Sequence, residues 1–251
     1  MIELNKIYNE DCFNVMPDID DKSIDMILCD LPYGTTACSW DTIIPFEPLW
    51  KQYKRIIKDN GAIVLTASQP FTSKLIMSNL EMFRYEWIWE KNLGTGYPTA
   101  KKRPIKVHEN VLIFSKKQTV YNPQKTTDHK RKTALARHKN KCKPTEIYGK
   151  CNNNKDYDST ERYPRSVQFI NKVLQKDYVH TTQKPVALFE YFIRTYTNEG
   201  DTVLDNCAGS FTTAVACIRT NRNWICVEKE KKNCAVGAER IKVELSQPRL
   251  F

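Results

Sequence analysis

Long apolar runs are missing from this 251-residue chain. Stretches such as Met26-Ile27-Leu28-Cys29 and Ala62-Ile63-Val64-Leu65 fall far short of the roughly 20 residues a spanning helix needs, so no membrane partner is expected. The opening MIELNKIYNED lacks the basic start and apolar stretch of a secretory signal. Disulfide-framework spacing is also absent. The nine cysteines are an odd number and scattered, which reads as reduced thiols in a cytoplasmic protein. There is no internal repeat. No GxGxxG fingerprint is present, which weakens a nicotinamide or flavin reading. His129, His138, Cys142 and Cys151 do not form paired-ligand spacings, so no metal is expected.

What remains is ordinary globular composition. With 41% hydrophobic and 27% charged residues, a disordered chain, a collagen-like chain and a coiled-coil rod are excluded. The formal net charge is +10. From Lys116 to Asp177 there are sixteen basic and six acidic side chains, so this block holds the whole excess. A polyanion, nucleic acid above all, is the partner such a block suits. The plainer alternative is a solvated loop.

Strand and helix patterns alternate on either side of that block. Strands are expected at 24–29, 62–66, 85–89, 111–114, 202–205 and 223–227. Helical spacing links Phe46 to Ile57, with Asn60-Gly61 as a stop, and continues after Pro70 through Leu80 and Phe83. Two more helices are expected, from Pro185 to Tyr196 and from Phe211 to Arg219. The alternation predicts an α/β sheet with helices packed on it. Periodicity collapses between about Lys116 and Arg165, which reads as an insertion.

Two constellations carry chemistry. In the later one, Thr202–Asp205 runs into the small-residue turn Ala208-Gly209-Ser210 and a helix, and Glu228 ends the next strand. Such a unit lets a ligand approach the backbone while an acidic side chain takes ribose hydroxyls. An unrelated βαβ unit would look much the same. The earlier one is Asp30-Leu31-Pro32-Tyr33, at the end of a strand. A carboxylate and a backbone carbonyl there suit the two protons of a planar amine, and the ring suits stacking on the flat system that bears it. Taken alone, these four residues are also a common turn.

Together they make the chain resemble the β-class amino-methyltransferases of DNA, with the motifs in circularly permuted order. Tyr8–Cys12, Thr66–Phe71, Trp89–Asn92, Val107–Glu109 with Val111–Phe114, and His180–Pro185 are similar to further motifs of that family, in the same order. The resemblance covers roughly 1–117 and 165–245. It implies a Rossmann-like, S-adenosylmethionine-dependent fold with a mixed, mostly parallel sheet and helices on both faces. The expected core is 1–115 with 172–251, and the expected target-recognition insertion is 116–171. The implied activity is methylation of adenine N6 in a short DNA sequence, with base flipping, in the cytoplasm of a bacterium or from a phage.

The roles the resemblance implies are specific. Asp30 and the Leu31 carbonyl hold the target amine, Pro32 stiffens the turn and Tyr33 stacks on the base. Asp205 accepts from the cofactor's amino group, Gly209 allows close backbone approach, and Glu228 holds the ribose. Asp11 and Cys12 meet the adenine end, and Cys207 sits beside the cofactor turn. Lys184 with Ser210 and Thr212 faces the methionine carboxylate. Lys130, Arg131, Lys132 and Arg137 would contact DNA phosphates, and Tyr121, Tyr148, Tyr157 and Tyr163 would either touch bases or anchor the loop. A homodimer and a restriction endonuclease partner are left open. Three positions depart from the family pattern. Leu31 and Thr181 replace prolines, and Phe211 replaces a glycine, where its ring is expected near the methionine end. Alternatives are cytosine-N4 methylation, methylation of RNA or of a protein glutamine, and an inactive DNA-binding relative.

Overall fold

A computed structural model of the chain describes residues 2–36, 38, 40–135, 156–173 and 183–247. These fall into two compact units. One runs to Asn122 and resumes at Ser166, and the other is 123–165.

The larger unit is built on a sheet of eight strands. They are β1 (Lys6–Tyr8), β2 (Ile24–Cys29), β3 (Ile57–Ala67), β4 (Phe83–Thr95), β5 (Lys106–Phe114), β8 (Val167–Phe169), β9 (Thr202–Asp205) and β10 (Asn223–Val227). Their spatial order is β1-β10-β9-β2-β3-β5-β4-β8. Strands β1 to β3 of that order are parallel, β5 runs antiparallel to β3 and β4, and β8 is parallel to β4.

Side chains alternate across the central strands, so both faces are apolar and both are covered. On one face Ile27, Ile63, Leu65 and Phe114 pack against α1 (Cys12–Val15), α2 (Phe46–Ile56) and α3 (Phe71–Ser78). On the other, Met26, Leu28, Val64 and Ile113 meet α4 (Val186–Tyr196), α5 (Thr212–Arg219) and α6 (Lys231–Ser246).

Several local expectations are revised. Asn60-Gly61 does not stop α2. The helix ends at Ile56, and both residues continue strand β3 beside a register shift in its pairing with β2. Gly61 is needed there, because a Cβ would lie 2.7 Å from the Asp25 carbonyl oxygen. Helix α3 ends at Ser78, so Leu80 is exposed and Phe83 begins β4. The short β1 and the long, weakly patterned α6 carried no signal in the sequence.

The second unit pairs β6 (Lys132–Ala134) with β7 (Tyr157–Ser159) antiparallel. It is narrower than the 116–171 segment. Asn122 donates its backbone N–H to the Thr195 carbonyl at 2.7 Å, and β8 extends the main sheet. Within the unit Arg131 forks onto Asp158 at 2.7 and 2.5 Å, while Tyr157 donates to the Glu161 carbonyl. Tyr163 is 65% exposed, with Lys125 over its ring. Arg137, His138, Cys142, Tyr148 and Cys151 lie outside the described residues, as do His180, Thr181 and Thr182.

Candidate active site

Chain connections run outward from β2 in one direction and from β9 in the other, yet these two strands are neighbours. A crevice opens where strand order reverses, beyond the carboxyl ends of the parallel strands. Asp30 follows β2 and Asp205 ends β9, so loops far apart in sequence meet there. All of the candidate residues, Asp11, Cys12, Asp30, Leu31, Pro32, Tyr33, Lys184, Asp205, Cys207, Gly209, Ser210, Thr212 and Glu228, border one cleft of about 630 Å³. That volume lies within the usual span of small-molecule sites, roughly 300 to 1,000 Å³.

At the Asp30 end, the carboxylate is heavily bonded. Its Oδ1 accepts from the hydroxyls of Thr66 and, at 2.8 Å, of Tyr33. Its Oδ2 accepts from Lys184 Nζ at 2.6 Å. The Tyr33 ring stacks on Phe71, with centroids 5.1 Å apart. Burial, then the nearby Asp30 and Glu109 charges, push the Tyr33 phenol well up, so it stays a donor. The loop after Tyr33 is tied by Asp41, which accepts the backbone N–H groups of Gly34, Thr35 and Thr36 at 2.7–2.8 Å. Burial opposes ionisation of Asp41, but these bonds prevail and hold its carboxyl low.

Lys184, expected at the cofactor's carboxylate, instead sits between Asp30 and Glu109, whose Oε2 is 3.4 Å away. Glu109 is also paired with the buried Lys91 at 3.0 Å. Burial would lower the Lys184 ammonium's pKa, yet the two carboxylates raise it, and the same lysines keep Glu109 low despite its burial.

At the other end, Glu228 accepts from the backbone N–H of Gly209 at 2.8 Å and of Glu230 at 2.9 Å. Gly209 holds φ +50°, with no heavy atom closer than 4.0 Å to where a Cβ would lie. The Thr212 hydroxyl donates to the Lys184 carbonyl at 3.3 Å, joining the turn to the segment before α4. Asp11 caps α1 through the Phe13 N–H, and burial pushes the Cys12 thiol up to about 12. Asp205 is less free than expected. It accepts from the Cys207 N–H at 3.1 Å and from the Thr213 hydroxyl, so it shapes the turn. Burial pushes its carboxyl up to about 6.

Phe211 departs from expectation. Its backbone has the left-handed φ of +60° that favours glycine. Its ring, however, is fully buried and turned away from the cleft, against Gly237 of α6. A Cβ at Gly237 would lie 2.6 Å from Phe211 Cε2 and closer to two other ring carbons. The missing side chain on α6 thus makes room for the extra one on the turn.

Thr66, Lys91 and Glu109 stood in motif-like stretches without an assigned role; the fold brings Thr66 onto Asp30, Glu109 onto Lys184 and Lys91 onto Glu109. Asp41 gave no signal, because its partners are loop N–H groups. A further basic stretch lies outside the 116–177 block. Residues 91–106 hold Lys91, Lys101, Lys102, Arg103 and Lys106 with no acidic residue. Both ends of this hairpin reach the cleft, where Thr95 lines it and Lys106 bonds to the lining Ser68.

Residues 24–239 match the family model described as DNA methylase. The chain belongs to that family. The methylase is 29% identical to the Type II methyltransferase M1.MboII of Moraxella bovis, over 96% of this chain and 95% of that one. It is 25% identical to the DNA adenine methyltransferase YhdJ of Escherichia coli (strain K12), over 96% and 84%. Among solved structures, the M1.HpyAVI–SAM complex superposes with a TM-score of 0.64 at 24% identity, covering 96% of this chain and 99% of that one. PvuII DNA methyltransferase (cytosine-N4-specific) gives 0.64 at 16% identity, over 95% and 90%. The fold is therefore the Rossmann-like fold of methyltransferases. No helix among the described residues is long and apolar enough to cross a membrane.

Proposed function

We propose that this methylase transfers a methyl group from S-adenosylmethionine to the N6 amine of adenine in a short DNA sequence. The observation that carries the proposal is the shared cleft, with the acceptors of Asp30 at one end and the Glu228–Gly209 turn at the other.

The cleft suits the donor. Glu228 takes the Glu230 N–H and the Asn233 amide on Oε1 and the Gly209 N–H on Oε2, which keeps a lone pair for a ribose hydroxyl, and open space beside Gly209 admits close approach. Phe189, Cys207 and Ala208 supply apolar wall. The bound donor brings an electrophilic methyl group. An exocyclic base amine is a weak nucleophile, since its lone pair is delocalised into the ring. Asp30 and the Leu31 carbonyl accept hydrogen bonds from its two N–H groups and favour a pyramidal nitrogen, while Tyr33 stacks on the base. One proton leaves as the methyl group is taken up and the demethylated donor departs. Rate then comes from positioning and a polar, preorganised site.

A stacked base is out of reach, so the base flips out at a cost of a few kcal/mol. Phosphate contacts from Lys130, Arg131, Lys132 and Arg137 in the insertion, and from the 91–106 hairpin at the cleft, offset this. Asp at the head of the tetrad favours adenine over cytosine N4. The reading puts the enzyme in the cytoplasm of a bacterium, where its DNA substrate lies, and a second copy or a restriction endonuclease are partners to be tested by sedimentation and co-purification.

The test is labelled donor with duplex DNA, followed by digestion and mass identification of the modified nucleoside. N6-methyladenine is expected. N4-methylcytosine would move the target, and DNA binding without transfer would make the chain an inactive relative. Asp30→Ala is expected to lose transfer.

A further inference from the structure

The most unusual feature of the cleft is a line of four alternating charges, Asp30, Lys184, Glu109 and Lys91, drawn from the loop after β2, strands β4 and β5, and the segment before α4. Lys184 and Lys91 are buried, and each spacing is 3.4 Å or less. Resting on the reading of Asp30 as the amine acceptor, we propose that Lys184, backed by Glu109, is the positioning residue that fixes which Asp30 oxygen meets the target amine.

Each carboxylate oxygen offers about two lone-pair sites. Those of Asp30 Oδ1 are taken by Thr66 and Tyr33, and one of Oδ2 by Lys184. One site on Oδ2 is left, so the amine has a single direction of approach to Asp30. The Lys184 bond is charge-assisted and short, which holds the carboxylate plane. Glu109 keeps the ammonium from being drawn wholly onto Asp30, and Lys91 balances Glu109. The two carboxylates keep Lys184 protonated despite its burial, so it serves as a clamp and not as a base.

The test compares wild type with Lys184→Met, Lys184→Arg, Glu109→Gln and the Lys184→Met/Glu109→Gln double variant. It reads kcat and KM for DNA across pH, donor affinity by calorimetry, and folding by thermal melts. The charged and titratable groups near Asp30 are Tyr33, Lys184, Glu109 and Asp205. Without Lys184 the carboxylates repel, so the acid limb of kcat is expected to move to higher pH. Misaligned acceptors lower kcat on the order of a hundredfold, with donor affinity unchanged. Lys184→Arg restores part of the rate, and the double variant is no worse than Lys184→Met, because Glu109 acts through Lys184. Should Lys184→Met not fold, Glu109→Gln decides alone, since releasing Lys184 to Asp30 moves the acid limb to lower pH.

An unmoved limb, additive losses, or a loss confined to donor affinity would overturn the proposal. If wild type transfers methyl and Lys184→Met equals it, only the positioning role falls. If wild type transfers none, the functional reading falls with it.

Discussion

Exchanging the partners Phe211 and Gly237 should reverse the sign of a mutational effect. Gly237→Ala in the native background puts a methyl group into the fully buried Phe211 ring. Overpacking of this kind costs about 1–3 kcal/mol, and the gain in helix propensity returns about 1. The net expectation is a loss of up to roughly 2 kcal/mol.

Phe211→Gly removes the ring, at about 3–5 kcal/mol for a large buried aromatic, and relieves about 1–2 kcal/mol of left-handed strain. Phe211→Ala keeps the strain, so it should be the less stable of the two by about 1 kcal/mol. Once the ring is gone, Gly237→Ala meets open space and is expected to stabilise by about 1 kcal/mol. The coupling in the cycle is then the overpacking cost itself, about 1–3 kcal/mol. Urea unfolding of the four proteins, with slopes compared, measures it. If Gly237→Ala acts with the same sign and size in both backgrounds, the packing account is wrong. Donor affinity should survive Phe211→Gly, since the ring does not line the cleft.

Asp205 gives a pH signature. Its carboxyl, raised to about 6 from an ordinary 3.8, contributes stability that is complete below about pH 4 and lost as pH rises through 6. Relative to Asp205→Asn, wild type should lose roughly 2–3 kcal/mol across that window, and parallel curves would refute the assignment. Replacing Lys101, Lys102 and Arg103 together by Ala should weaken DNA binding and flatten the log K against log salt slope by roughly 0.9 per lost phosphate contact. An unchanged slope would remove the hairpin from the interface. Asp41→Ala frees three N–H groups after Tyr33. Faster amide exchange at 34–36 and a lower kcat are expected, and native protection there would show that the loop holds itself.

The sequence by itself determined the alternation of strands and helices, the two chemical loops and their permuted order. These are local facts, since a short apolar run, a proline turn or a small-residue turn is legible from a few neighbouring residues. Where two local preferences competed, the reading slipped. Asn60-Gly61 looks like a helix stop, but both residues lie within β3, in the irregular stretch between its pairs with β2 at Ile57 and Ala62. Only the tertiary structure decided what the loops do to one another. Lys184 lies far from Asp30 and Glu109 along the chain, and no spacing records that the segment before α4 delivers its ammonium between two carboxylates. The same holds for Phe211. Its sequence says only that a glycine is absent, while the direction of its ring was settled by Gly237 on a helix that gave no pattern at all. Side-chain direction and charge pairing depend on which surfaces the sheet brings face to face, and that is a property of packing.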